Sequence, residues 1–188
     1  MPPKVKITKT DIINASLRLA RKGGADALNA RSISAVLGCS TQPIFSNFKS
    51  MEELDEAVIS SAYEHYLSFI DEEIGSKKYP EYKSMGMAYI RFAREESELF
   101  KLLFMRDRTG CDLSPTPDYN RSTSILTEAL GISPSQAERM HFELWVFVHG
   151  IATMLATSFL DLSEEDICDM LSDVYASVRQ KFTEDNRK

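Results

Sequence analysis

Residues 28–50, LNARSISAVLGCSTQPIFSNFKS, carry the pattern of two short helices joined by a tight turn. Asn29 is placed to cap the first helix, over residues 30–37, because its side chain can accept a hydrogen bond from a backbone N–H of the first turn. Gly38 is expected to end this helix, since glycine adopts the left-handed conformation of a sharp reversal at little cost. The apolar positions of the helix, at i, i+3 and i+4, are Ile33, Val36 and Leu37.

The second helix of this stretch is expected to follow Ser40, its predicted cap, with Pro43 in the first turn. Ile44 and Phe48, four residues apart, are expected to face the first helix. Small polar side chains on the outer face are what a helix needs to read base edges in a DNA major groove. An ordinary helical hairpin with a polar outer face is the alternative. The residues expected outside are Thr41, Gln42, Pro43, Ser46 and Asn47.

The order of residues from 28 to 54 is L-N-x-R-x-I-x-x-x-L-G-C-S-T-x-x-I-F-x-x-F-K-S-x-E-E-L. It resembles the N-terminal domain of the tetracycline-repressor (TetR) family of bacterial transcription regulators. The resemblance implies a homodimeric, all-helical regulator in which the second and third helices form a helix-turn-helix. It also implies a C-terminal domain that holds an inducer, and a fourth helix that acts as a lever between the two domains.

Three positions depart from the family pattern. The tyrosine and histidine that members often carry near the end of the recognition helix are Phe45 and Asn47, and the lysine often found at the start of the fourth helix is Met51. Phosphate contacts are therefore expected from Arg31, Lys49 and the N-terminus of the fourth helix. The predicted DNA-binding residues are Arg31, Ser40, Thr41, Gln42, Pro43, Phe45, Ser46, Asn47 and Lys49.

The same departures keep a second hypothesis open. A helix-turn-helix that has lost its phosphate anchors could belong to a helical protein–protein adaptor, or to a regulator that responds to no effector. A DNA-binding regulator and a protein–protein adaptor differ in how they respond to salt, because binding to DNA phosphates weakens steeply as salt rises. An adaptor is expected to bind no DNA even at low salt.

Charge is distributed unevenly along the chain. The net charge is −6, yet residues 1–50 hold eight Lys and Arg against two Asp, while the remainder holds 14 basic and 26 acidic residues. A basic head on an acidic body attracts phosphates at one end only, which favours a nucleic-acid partner for the head. A chance cluster of solvated lysines is the alternative.

Length and composition predict one or two compact domains, since the 188 residues are 43% hydrophobic. There is no run of 18 apolar residues, and the N-terminal MPPKVKITKT lacks the apolar segment of a signal peptide. A cytoplasmic protein without a membrane span is therefore expected. Cys39, Cys111 and Cys168 lie far apart without a C-x-x-C pair, so neither a disulfide framework nor a thiolate zinc site is predicted. Whether one of them senses redox stays open.

Helical periodicity with glycine, proline and charged breaks continues through the chain and predicts an all-α fold of about nine helices. A three-helix helix-turn-helix domain is expected at residues 1–50, and a linker helix with a C-terminal helical bundle at 51–188. The last two helices, capped at Ser133 and Ser163, carry apolar stripes that one small domain does not readily cover, which predicts a homodimer through them. The other helices are expected at about 8–22, from 51 to the break at Gly75, and at 82–94, 97–105 and 119–130.

The segment ELWVFVHGIATMLA resembles a Trp-x-x-x-His-Gly signature in the ligand-binding domain of a subset of the family, with Trp145, His149 and Gly150 in the matching places. Trp145 and His149 share a helix face. An aromatic and methionine wall suits an apolar or aromatic small-molecule effector. Ordinary core packing is the alternative for each of these residues, and for His149 above all. The predicted effector-binding residues are Phe92, Phe100, Phe104, Met105, Trp145, His149 and Met154.

Signatures of catalysis are weak. Glu138 and His141 form one E-x-x-H on a helix, whereas a di-metal carboxylate bundle needs two such pairs and two further carboxylates. The sequence contains no H-E-x-x-H, P-loop, G-x-G-x-x-G or G-x-S-x-G. An enzyme is not expected, and no metal or cofactor is predicted.

Overall fold

A computed structural model describes residues 7–107 and 116–184 of the chain. Within these ranges the fold is all-α, with nine α-helices, a short 3-10 turn at Ala25–Ala27 and no strand, which confirms the predicted fold class. No helix in these ranges is long and apolar enough to cross a membrane. The helices are α1 Lys9–Gly23, α2 Ala30–Leu37, α3 Gln42–Asn47, α4 Met51–Ser76, α5 Glu81–Glu95, α6 Ser97–Phe104, α7 Pro117–Leu130, α8 Pro134–Ala156 and α9 Glu164–Glu184.

The chain divides into two compact units. Unit 1 comprises the described residues of Met1–His65 and Glu96–Arg106, and unit 2 those of Tyr66–Glu95 and Asp107–Lys188. Helix α6 therefore belongs to the N-terminal unit, and α4 contributes residues to both. The predicted functional boundary at residue 50 stays a prediction, because compactness alone does not define where the DNA-binding function ends.

Unit 1 is built from apolar side chains that its helices turn inward. Helix α1 packs against α2, α3 and α6. It begins after Thr8 because Thr8 and Asp11 form a capping box, in which the Asp11 N–H donates to Thr8 Oγ1 at 3.1 Å. The fully buried apolar residues of this unit are Ile12, Ala15, Ala20, Ile33, Ile44, Leu54, Val58, Ala62, Leu99 and Phe100.

A hydrogen-bonded triad joins three helices of unit 1. Arg21 Nε of α1 donates to Glu96 Oε2, just before α6, at 2.9 Å. His65 Nε2 of α4 lies 3.0 Å from Glu96 Oε1 and 2.8 Å from Arg21 Nη2. These contacts join the C-terminal end of α1 and the middle of α4 to the residue that precedes α6, and nothing in the sequence pattern indicates them.

Two local expectations for the helix-turn-helix are wrong. Ser40 does not cap α3, because the N-cap position of that helix is occupied by Thr41. Thr41 is itself in a right-handed helical conformation, and its side chain makes no capping hydrogen bond. Val36 does not face the core, since it is 43% exposed. In so short a helix Ile33 and Ser34 form the buried side, and the i+3 position of the stripe turns out toward solvent.

Unit 2 is organised around α5 and α8, which pack against each other and against α7 and α9. The inner side of α5 is buried along its length, with Phe92 fully enclosed. Serine side chains cap the next helices as predicted, since the Gln136 N–H donates to Ser133 Oγ at 3.3 Å and the Asp166 N–H to Ser163 Oγ at 3.0 Å. A second apolar cluster consists of Leu126, Ile132, Ala137, Met140, Leu144 and Phe182.

Candidate nucleic-acid interface and effector site

Local hydrogen bonds fix the turn between α2 and α3. Asn29 Oδ1 accepts from the Ser32 N–H at 2.9 Å, which confirms Asn29 as the cap of α2. Gly38 has φ 64° and ψ 34°, and the Cys39 N–H donates to the Ser34 carbonyl at 3.0 Å. Residues other than glycine adopt this left-handed backbone conformation only at an energetic cost. Gly38 therefore sets the direction in which the chain leaves α2.

Helix α3 is held by its inner side and presents the rest of its surface outward. Ile44 is fully buried and Phe48, just after the helix, is nearly so. Thr41, Pro43 and Asn47 are half-buried. The exposed members of the predicted DNA-binding set are Arg31, Ser40, Gln42, Phe45, Ser46 and Lys49.

Two of the predicted DNA readers have their donors engaged within unit 1. Ser46 Oγ donates to the Gln42 carbonyl at 2.9 Å. Asn47 Nδ2 donates to the Pro43 carbonyl at 2.8 Å and to the Ile7 carbonyl at 3.5 Å. Asn47 therefore ties α3 to the chain just before α1, a role in holding the helix that sequence reasoning did not anticipate.

The cations around α3 differ in their surroundings. Within the described residues, Arg31 and Lys49 form no ion pair closer than 4 Å, so their charges face solvent. Lys9 lies over the Phe48 ring at 4.9 Å and pairs with Glu53 at 3.4 Å. The Lys49 backbone N–H donates to Glu53 Oε2 at 2.7 Å, and this bond is the main cause of the lowered pKa of Glu53.

The Glu53 carboxylate also makes the N-terminus of α4 less suited to binding a phosphate. The first turn of α4 contains Glu52 and Glu53, and the Glu53 N–H donates to Ser50 Oγ at 3.3 Å. Acidic side chains already complement the dipole there and repel a phosphate. Of the three phosphate contacts that the sequence suggested, Arg31 and Lys49 are therefore the better candidates, and their role stays a prediction.

Two tyrosine–histidine pairs connect α5 to α8 in unit 2. The Tyr82 hydroxyl lies 3.0 Å from His141 Nδ1, and the Tyr89 hydroxyl lies 2.9 Å from His149 Nδ1. Burial lowers the pKa of both histidines and raises that of both tyrosines. Burial therefore favours neutral imidazoles facing neutral phenols, and the tautomer of each histidine sets which partner donates the hydrogen bond.

Trp145 extends the second pair. Its ring stacks on His149 with centroids 4.8 Å apart and planes 17° from parallel. A hydrogen bond from Trp145 to the Tyr89 hydroxyl acts against the burial that raises the pKa of Tyr89. The structure thus brings together the two residues that the Trp-x-x-x-His-Gly signature singled out, and adds Tyr89 to them.

One carboxylate lies near this aromatic group. The Tyr66 hydroxyl donates to Asp118 Oδ2 at 3.2 Å, and the Asp118 charge adds to burial in raising the pKa of Tyr89. The Tyr66 and Tyr89 rings meet edge to face, with centroids 5.8 Å apart. Sequence reasoning missed these three residues, because they lie on three different helices and no local pattern shows that these helices meet.

The remaining predicted effector residues do not form one group. Phe92 is fully buried in unit 2, where its ring lies 5.4 Å from Tyr66. Met154 is exposed on α8. Phe100 and Phe104, with centroids 5.3 Å apart, and the exposed Met105 belong to unit 1. Assignment of any of them to an effector stays a prediction.

Unit 2 also contains a shallow cleft and the E-x-x-H pair, which are weaker candidates for a functional site. A shallow cleft of about 220 Å³ contains none of the predicted effector residues and is lined by Thr123, Ser124, Thr127, Glu128, Pro134 and Glu138. Glu138 of the E-x-x-H pair is exposed there, whereas His141 is engaged with Tyr82. In residues 7–107 and 116–184 no group of three His, Cys, Asp or Glu side chains could hold a metal ion. Cys39 and Cys168 are half-buried free thiols, and Cys111 lies outside the described residues.

A family model described as the tetracyclin repressor-like C-terminal domain matches residues 82–176, just over half of the chain. The chain belongs to the tetracycline-repressor family. The match covers nearly all of α5, the whole of α6, α7 and α8, and most of α9, so it is independent of the N-terminal pattern at residues 28–54 from which the TetR resemblance was first drawn. Membership of the TetR family makes the protein a transcription regulator by class.

Solved structures with the same fold accompany this match. A protein of unknown function from Rhodococcus sp. RHA1 is 18% identical at a TM-score of 0.72, covering 97% of this chain and 99% of its own. A TetR-family protein from Vibrio parahaemolyticus is 15% identical at 0.66, with 91% and 96% covered. The multidrug-binding protein EbrR, complexed with imidazole, is 14% identical at 0.57, with 88% and 93% covered. These likenesses establish the fold. No curated protein matches the chain.

Proposed function

We propose that this TetR-family protein is a ligand-responsive repressor that binds a palindromic operator as a homodimer. The observation that carries the proposal is the outer face of α3, where Gln42, Phe45 and Ser46 are exposed. Two exposed cations accompany it, Arg31 on α2 and Lys49 just after α3, and neither forms a close ion pair with another described residue. Gln42 supplies the amide that reads adenine edges, and the cations fix the helix on the phosphates. A regulator of this kind works in the cytoplasm, where its operator is.

The two-fold symmetry of such an operator requires two copies of the chain. Apolar side chains remain exposed on α8, with Phe142 at 60% and Val146 at 51%, one turn apart. We assign this face, with α9, to the homodimer, because a second copy of the same face would cover it. Light scattering of a Phe142→Glu/Val146→Glu variant should report a monomer where the wild type is a dimer.

We further propose that an apolar or aromatic effector binds unit 2 near Trp145 and His149. The stacked rings offer a flat apolar wall, and the Tyr89 hydroxyl and Asp118 carboxylate add polar groups nearby. An effector that favours a dimer with the wrong head spacing would release the operator. Because Trp145 is the single tryptophan, its fluorescence reports directly on this site.

Footprinting on the DNA upstream of its own gene tests the DNA-binding function. The purified protein is compared with an Arg31→Ala/Gln42→Ala variant at two salt concentrations. A protected palindrome that the variant loses, and that weakens as salt rises, supports the regulator. If neither protein protects this DNA and neither enriches any duplex from a random library at low salt, the adaptor hypothesis replaces it.

A further inference from the structure

The outer face of α3 holds a large apolar side chain where a DNA-reading helix usually presents polar groups. Phe45 is 52% exposed. Next to it, the hydroxyl of Ser46 and the amide N–H groups of Asn47 are already donated to backbone carbonyls. Among the described residues, the exposed side chains of α3 whose donors make no such bond are the amide of Gln42 and the aromatic ring of Phe45.

The chemistry of the major groove limits what this ring can contact favourably. Base edges there consist of hydrogen-bond donors and acceptors, with one apolar group, the C5-methyl of thymine. Placing Phe45 against a phosphate or a polar base edge would desolvate that group without a compensating hydrogen bond. Placing it against the methyl removes apolar surface on both sides from water.

We infer that Phe45 is a specificity-determining residue that reads thymine through its C5-methyl group. Each operator half-site then contains a thymine at the base step facing Phe45, close to the base read by Gln42, three residues earlier on the helix. This inference rests on the proposed DNA-binding function and adds to it the chemistry of one operator position.

The test begins with selection of bound duplexes from a random library by the full-length protein. Each thymine of the selected half-site is then replaced in turn by deoxyuridine, which lacks only the methyl. At one position we expect affinity to fall roughly fourfold per half-site, the effect of about one buried methyl, and roughly 16-fold when both half-sites are changed. A 5-methylcytosine at that position keeps the methyl and should retain more affinity than cytosine.

Variants then assign the effect to Phe45. Phe45→Ala should bind thymine and deoxyuridine duplexes equally, whereas Phe45→Leu, which keeps an apolar side chain, should retain part of the discrimination. Val36→Ser is the matched control, because Val36 is an exposed apolar residue of the same unit, 43% exposed, on α2. It should keep the full wild-type discrimination.

The outcomes separate the inference from the function beneath it. Specific binding that no deoxyuridine substitution weakens, or discrimination that survives in Phe45→Ala, overturns the reading of thymine and leaves the regulator intact. Failure of the wild-type protein to select any duplex overturns the proposed function and the inference with it. The wild-type deoxyuridine measurement needs no variant, so poor folding of Phe45→Ala cannot obscure the result.

Discussion

Unit 1 and unit 2 place their candidate functional side chains in opposite surroundings. On α3 in unit 1, Ile44 is buried while Gln42 and Phe45 are exposed. In unit 2, Phe92 is fully enclosed, and Tyr89 and His149 are bonded to each other between α5 and α8. A helix held by a few inner residues can vary its outer face without affecting the core. In unit 2, by contrast, the candidate ligand-binding groups are part of the packing, so function and stability change together.

The largest expected effect tests the second half of this comparison. Phe92→Ala removes a fully buried ring that contacts Tyr66 and Phe69, with centroids 5.4 and 5.2 Å away. We expect the free energy of unfolding in urea to fall by about 3–5 kcal/mol. Phe159→Ala is the control, since that ring is 80% exposed and its loss should change stability by less than about 0.5 kcal/mol. If Phe92→Ala lowered the free energy of unfolding as little as Phe159→Ala does, Phe92 would not be part of a packed core.

The second prediction tests the first half, the independence of DNA contacts from stability. Arg31→Ala should weaken operator binding across related sequences and reduce the slope of log affinity against log salt by about one, because one phosphate contact is lost. Its unfolding free energy should stay within about 0.5 kcal/mol of wild type. Lys78→Ala removes an exposed cation paired with Glu164 in unit 2, and should leave the slope unchanged. An unchanged slope in Arg31→Ala would remove Arg31 from the interface.

A smaller effect concerns the caps that position α2 and α3. Asn29→Ala removes the 2.9 Å bond to the Ser32 N–H and should cost about 1 kcal/mol. Ser40→Ala removes a side chain that caps no helix, so its cost should be within experimental error. Chemical denaturation of both variants checks the difference. A costly Ser40→Ala would restore Ser40 as a structural residue.

The contrast between Asn29 and Ser40 also explains what could be predicted from sequence. Asn29, Gly38, Ser133 and Ser163 act within their own turn, so local chemistry was sufficient to assign them. The start of α3 depends instead on how Ile44 and Phe48 are buried in the rest of unit 1. The helices could be predicted from the helical periodicity along the chain, and the family from the order of residues 28–54.

The candidate effector site could be predicted only in part. Trp145 and His149 lie one turn apart on one helix, and the signature was sufficient to pair them. Tyr66, Tyr89 and Asp118 reach the same region from α4, α5 and α7, and no local pattern indicates which residues of separate helices meet. The division of Phe92 and Phe100 between two units depends likewise on long-range packing.

The smallest expected effect is a pH dependence that arises in unit 2. Burial lowers the pKa of His141 below the ordinary histidine value of about 6.5, while the nearby Asp118 charge acts in the opposite direction. Burial lowers the pKa of His149 as well. As the pH falls, these two histidines therefore take up protons at a higher pH in the unfolded chain than in the folded chain. Stability should be fully retained above about pH 6.5 and should fall as the pH decreases below it.

Urea denaturation between pH 8 and pH 5 measures this loss. In His141→Asn the amide oxygen can still accept from the Tyr82 hydroxyl but the side chain no longer titrates, so the loss on acidification should be smaller than in wild type. The His141→Asn/His149→Asn double variant should reduce it further. If both variants lose as much stability as wild type between pH 6.5 and pH 5, the protons are taken up elsewhere. The two Tyr–His pairs would then be polar contacts that burial does not hold neutral, and the contrast with the solvent-facing groups of unit 1 would be weaker than the packing indicates.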